Sequence, residues 1–205
     1  MNWASPFRMT REKNTIALAF IAVGVGLRLL LAEYPNIEPI MALSILAGYY
    51  LGGVYMLLVP LSIMGFSDFL IYGALYQGEY GLSQILGLSA FTWSGFVFAA
   101  LIGRAARGRI LTVVGSVALV TAISIPATIA YDLWTTLGGW YFIYGPFLGW
   151  TLWESVVNLV PFALLHLISS LLFVPLFGTL FGLLQSSEAL DRLRAAASKP
   201  EEASE

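Results

Sequence analysis

Charge is scarce in this 205-residue sequence, which holds 10 lysines and arginines, 12 aspartates and glutamates, and one histidine. Each ionisable group inside an apolar run therefore needs a reason. Arg28 is the first, set in the stretch GLRLLLAEYPNIEP at residues 26–39. An unpaired charge in hydrocarbon is costly, although snorkelling to a headgroup lowers the cost. Asp68 lies at a similar depth in its own apolar run. The spacing predicts an Arg28–Asp68 ion pair, with Glu38 able to share it. Such a pair is either a clamp between two helices or part of a ligand contact. Two prolines stiffen the loop YPNIEP, residues 34–39, which offers Asn36 and Glu38 at the mouth of a bundle. Glu38–Pro39 also reads as an ordinary helix start, where an acid favours the N-terminus.

A second group of side chains gathers between Tyr131 and Glu154. Nine aromatics fall in 131–153, among them Trp134, Trp140, Trp150 and Trp153, and Asp132 and Glu154 bracket them. Trp and Tyr settle at headgroup depth, so an interfacial belt accounts for most. The alternative is a ligand wall, since small-ligand sites combine aromatic surfaces with a few placed polar groups. Acids among aromatics suit a cationic or polar ring compound. Asn158 and His166 are eight residues apart, roughly on one helical face. In lipid, His166 must face the protein interior, either as a core histidine bonded to a neighbouring backbone group or as a site residue.

These groups suit binding better than covalent chemistry. No second histidine exists for a proton relay, and no serine–histidine–acid order stands out. With no cysteine there is no disulfide or thiolate chemistry, and one histidine argues against a zinc site. No basic patch points to nucleic acid.

The elements that hold these residues are membrane helices. Hydrophobic residues make up 59% and charged residues 11%, against about half and a quarter in soluble domains. Apolar runs occur at 15–33, 38–51, 53–73, 82–103, 110–133 and within 151–185. The 38–51 run, about 20 Å as a helix, is short for a crossing and either spans with tilt or re-enters. The 151–185 run is too long for one crossing. Pro161 predicts a break, with an interfacial helix before it and the span after. The basic N-terminus precedes the first run as a signal peptide would, but the chain reads as an uncleaved first span.

Basic residues cluster at Arg8, Arg11 and Lys13, at Arg104, Arg107 and Arg109, and at Arg192, Arg194 and Lys199. With six spans all three clusters share one side, which the positive-inside rule makes the cytoplasm. Glu33, Glu38, Asp68, Glu79, Asp132 and Glu154 fall towards the other. The expectation is an all-α membrane protein: a cytoplasmic segment 1–14, a six-helix transmembrane bundle 15–186, and a cytoplasmic polar tail 187–205, frayed and then disordered. The Ala22/Gly26 and Ala118/Ala122 pairs are small-xxx-small spacings, for internal packing or for docking another subunit.

The run NIEPIMALSILAGYYLGGVYMLLVPLSIMGFSDFLI, with Arg28 ahead of it, and VPFALLHLISSLLF at 160–173 resemble the S components of energy-coupling factor transporters. These are the substrate-binding membrane subunits of vitamin and micronutrient importers. The resemblance covers roughly 15–185 and is closest to archaeal-type members. It implies a plasma-membrane protein that binds one vitamin-like small molecule in an outer cavity without covalent chemistry or cofactor. The loop 34–38 would cap that cavity. Its walls would lie near Trp93, Asp132, Trp134, Trp140, Trp153, Glu154 and Asn158. The resemblance further implies an integral T subunit and two cytoplasmic ATPases as partners, and toppling in the membrane to release cargo. Many members carry AxxxA on helix one for T-subunit docking, where this chain has Ala22 and Gly26. The rival expectation is a structural or accessory subunit of a larger membrane complex, and a membrane enzyme comes third.

Overall fold

The computed structural model describes residues 11–34, 36–74, 81–108 and 112–197. Arg8, Pro35, Glu79, Arg109 and Lys199 lie outside the described residues. Among the described residues all regular secondary structure is helical. In order come α1 (Arg11–Leu30), α2 (Ile40–Leu46) continued as a π-helix over Ala47–Leu51, α3 (Tyr55–Ala74), α4 (Leu82–Ala106), α5 (Val113–Gly139) continued as a π-helix over Trp140–Tyr144, α6 (Gly145–Leu148) and α7 (Leu152–Ala197).

Hydrogen bonds between the helices set their directions. At one end, Lys13 Nζ of α1 donates to the Leu51 carbonyl that ends α2, at 3.0 Å, and Tyr55 at the start of α3 reaches Asn14 at 2.6 Å. At the other end, Arg28 of α1 meets Glu38 ahead of α2 and Asp68 of α3. Hence α2 runs the full height of α1 in the opposite sense, and α3 returns. α4 descends from Trp93, bonded to Asp68, to Arg107, bonded to the Leu51 carbonyl. α5 climbs from Ser116, bonded to Tyr49, to Asp132. α7 comes back down to Gly178, whose carbonyl accepts from Tyr50. Both ends of the described chain therefore lie at the Lys13 end.

α2 is the axle of the bundle. Every residue from Ile40 to Leu46 is buried, and α1, α3, α4, α5 and α7 all contact it. A 12-residue apolar run is ambiguous between a re-entrant piece and a core helix, and here it is a core helix. Two glycines let it approach α4. A Cβ on Gly48 would collide with the Ala100 carbonyl, and one on Gly103 with the Ile45 carbonyl, so the two backbones touch. After the π-turn, Gly52 takes a positive φ of 63°, in reach of glycine without strain. Over it lie the guanidinium groups of Arg104 and Arg107. Burial, and then neighbouring Arg104, lower the Arg107 pKa from its ordinary value.

Two expected boundaries are corrected. α7 is continuous through Pro161 and Pro175, so there is no separate interfacial helix before Pro161. A proline deletes one main-chain hydrogen bond, and packing against neighbouring helices lets transmembrane segments tolerate that loss. α5 runs on past 133 to Gly139, because 134–139 continues the helical face packed on α4. Residues 187–197 of the expected tail continue α7, while 198–205 lie outside the described residues.

Four helical stretches are long and apolar enough to cross a membrane: Glu12–Leu30, Leu82–Ala106, Val113–Leu148 and Leu152–Leu184. Two shorter apolar ones, Ile40–Leu51 and Tyr55–Ile71, pack among them. Large apolar side chains such as Leu18, Phe69, Leu164 and Leu172 point outward, more than half exposed. A surface of this kind is stable in lipid and a liability in water.

Candidate functional site: a cavity at the Arg28 end

At the Arg28 end the helices splay around a cavity of about 710 Å³. Its wall draws on the end of α1, the loop at 31–38, α4, α5, the Trp140–Tyr144 turn and α7. The lining follows helical spacing. From α4 come Gln84, Ile85, Leu88 and Thr92, from α5 Tyr131, Asp132, Thr135 and Thr136, and from α7 Asn158, Leu159, Phe162 and Ala163. Each set occupies one face of its helix.

The floor is a knot of charge around Arg28. Its Nε donates to Glu38 Oε2 at 2.8 Å, and its Nη1 to Asp68 Oδ1 and Ser67 Oγ, both at 2.5 Å. Trp93 Nε1 donates to the other Asp68 oxygen at 2.7 Å. The Glu38 backbone exchanges bonds with Ser169: its N–H donates to Oγ at 3.0 Å, and Oγ donates to the Glu38 carbonyl at 2.9 Å. One arginine thus ties together α1, the entry to α2, α3, α4 and, through Glu38, α7. The Arg28–Asp68 contact is present, and Glu38 shares it. Arg28 and Glu38 also line the cavity, whereas Asp68 sits behind it. Asn36 lines it too, from a φ of 60°, a conformation that Asn tolerates better than most residues.

The α5–α7 wall carries a second polar pair. Asp132 Oδ1 lies 2.8 Å from His166 Nδ1. Asp132 lines the cavity; His166 is fully buried behind it, edge-on to the Tyr131 ring with centroids 5.0 Å apart. His166 thus bonds a carboxylate rather than the neighbouring backbone considered from the sequence. One turn further along α7, Ser170 pairs with Thr128 of α5 at 2.8 Å.

Four sequence candidates therefore converge at the cavity: Asn36, Glu38, Asp132 and Asn158. Asn158 spends one amide hydrogen on the Glu154 carbonyl, at 2.8 Å. Five others do not line it, and their expected place in the wall is corrected. Trp93 is the buttress of Asp68. Trp134 Nε1 donates to the Phe91 carbonyl and to Ser94 Oγ, at 3.1 and 3.0 Å, which lays its ring on α4. Trp140 Nε1 donates to the Trp150 carbonyl at 3.0 Å and closes the turn before α7. Trp153 is 73% exposed, facing outward. Glu154 caps α7: its Oε2 accepts from the Thr151 N–H and hydroxyl, and its own N–H donates to the Thr151 hydroxyl, a capping box. In each of the three stapled tryptophans a nearby backbone or side-chain acceptor has taken the indole N–H.

Of the aromatic window read as belt or ligand wall, Tyr131, Tyr144 and Trp150 line the cavity, whereas Gln84, Thr92, Thr135 and Thr136, also in the wall, were not singled out in the sequence. Helical spacing from Asp132 finds Thr135 and Thr136; the others need the tertiary fold. On α1, Ala22 is exposed and a Cβ on Gly26 would meet nothing within 4 Å. That face is open, so internal packing does not explain the pair. Ala118 and Ala122 are exposed as well. Among the described residues no group of three His, Asp or Glu side chains could hold a metal ion.

No curated protein and no solved structure matches the chain. A family model does, over residues 8–193, and the chain accordingly belongs to that family, a family of unknown function (DUF6580).

Proposed function

We propose that this protein is a substrate-capture membrane subunit that binds a small molecule in the cavity at its Arg28 end. The carrying observation is that cavity: about 710 Å³, floored by an ion-pair knot and walled by polar groups from three helices. Drug-sized ligands occupy pockets of about 300–1,000 Å³ with mostly apolar walls and a few placed polar groups. The work assigned to the cavity is binding and release.

In this reading α1 to α5 and α7 make six crossings of the plasma membrane, and both termini are cytoplasmic. Lys13, Arg104 and Arg107 at one end and Glu38, Asp132 and Glu154 at the other support that orientation. The cavity then opens outward under the loop at 31–38. The resemblance to S components of energy-coupling factor importers supplies the rest: a vitamin-like cargo, an integral T subunit and two cytoplasmic ATPases. The open Ala22/Gly26 face of α1 is the surface assigned to the T subunit.

Native mass spectrometry of protein purified gently from its own membranes tests this reading. The expected result is an adduct of small-molecule mass, weakened in Asp132→Asn or Asn158→Ala, with ATPase subunits co-purifying. A bare protein in a fixed complex with other membrane subunits would replace the proposal with a structural role.

A further inference from the structure

Resting on the capture reading, we propose that the molecule held in the cavity is an organic cation, whose protonated or quaternary nitrogen sits against Asp132. The inference comes from the charges the fold leaves unanswered. Arg28 faces two carboxylates, Glu38 and Asp68, so its charge is more than met. Among the described residues the Asp132 side chain meets only His166. His166 Nε2 is buried and has no partner among the described residues. A proton on Nδ1 is the one placed to donate to Asp132 Oδ1. Even counting that ring as basic, Arg28 and His166 are two groups against the three carboxylates Glu38, Asp68 and Asp132.

Among the described residues, the cavity and its immediate support hold Arg28 as the one permanent cation against three carboxylates. Glu38 and Asp132 each keep one oxygen without a hydrogen-bond partner among the described residues, and their side chains remain 17% and 18% accessible. A sheltered wall of low dielectric strengthens the pull of such oxygens on a positive charge and their repulsion of a negative one. Tyr131 and Trp150 line the same space, and the faces of such rings attract cations. Among the described lining residues the one cationic side chain open to an anion is Arg28, already held by two carboxylates and a serine hydroxyl.

The test uses full-length protein in lipid nanodiscs and a small-molecule cell extract, split by ion exchange into cationic, neutral and anionic fractions. Native mass spectrometry reads which fraction leaves an adduct. The expected result is an adduct from the cationic fraction, bound about tenfold or more weakly by Asp132→Asn, which keeps the shape and the oxygen facing His166. An adduct from the neutral or anionic fraction alone would overturn the cation and leave capture standing. No adduct from any fraction would overturn capture, and this inference with it. A cationic adduct that Asp132→Asn binds as well as wild type would overturn the role of Asp132. Should that variant fail to fold, the fractions decide on wild type alone.

Discussion

Two carboxylate clusters lie at the same end of the bundle and are built in opposite ways. The Arg28 knot is closed at Asp68: Arg28 and Trp93 take both of its oxygens, Ser67 accepts a further Arg28 hydrogen, and Ser169 holds the backbone of Glu38, which gives one oxygen to Arg28 and keeps the other. The Asp132–His166 pair is open, with one oxygen bonded and the other left to the cavity. A closed cluster fixes helices to one another. An open one keeps part of its interaction energy for something that arrives later. On the capture reading, the same residue type serves architecture at one site and binding at the other, and the difference lies in how many partners the fold supplies.

Substitutions can break or sharpen that contrast. The largest effect belongs to Arg28→Leu, which strands Glu38 and Asp68. It should cost about 3–5 kcal/mol, read as a collapse of the folded fraction in detergent melts. Trp93→Phe leaves Asp68 Oδ2 without its donor and should cost about 1–3 kcal/mol. Its ligand affinity should change little, because the indole does not line the cavity. Asp132→Asn should reverse the pattern: a melting midpoint near wild type, with binding about tenfold weaker or more. If Asp132→Asn proved as destabilising as Arg28→Leu, the two clusters would be alike and the contrast would fall. The smallest effect is Glu154→Ala. Losing the Glu154 half of the capping box should lower the melting midpoint only slightly and leave binding unchanged, and a large affinity loss there would restore Glu154 to the wall.

Much of this was legible in the sequence, for physical reasons that can be named. Arg28 could not sit in an apolar run without a carboxylate at its depth, and Asp68 and Glu38 were the ones within reach. Asp132 and Asn158 were rare polar groups near one end of long apolar helices, which a bundle turns inward, and Asn36 sat in the stiff loop at the same end. The tryptophans misled because composition does not reveal rotation about a helix. Trp134 and Trp140 each had a backbone carbonyl close by, and the need to satisfy an indole N–H in an apolar setting fixed their rings away from the cavity. Pro161 read as a break because the rule comes from helices in water. In α7 the helix carries on, as packed helices in lipid can. The burial of α2 was hidden for another reason. Nothing in a short apolar run shows that Gly48 and Gly103 will bring two backbones together across the fold.

On the proposed reading the cavity opens to the outside and holds a small molecule. The chain has no cysteine, so Asn158→Cys places one thiol on an exposed position of the cavity wall. The measurement is its labelling rate by a membrane-impermeant thiol reagent in intact cells, with and without the added small-molecule extract. The account predicts labelling without permeabilisation, slowed when the extract is present. Labelling only after permeabilisation would put the cavity on the wrong side of the membrane. A rate unchanged by the extract would contradict capture.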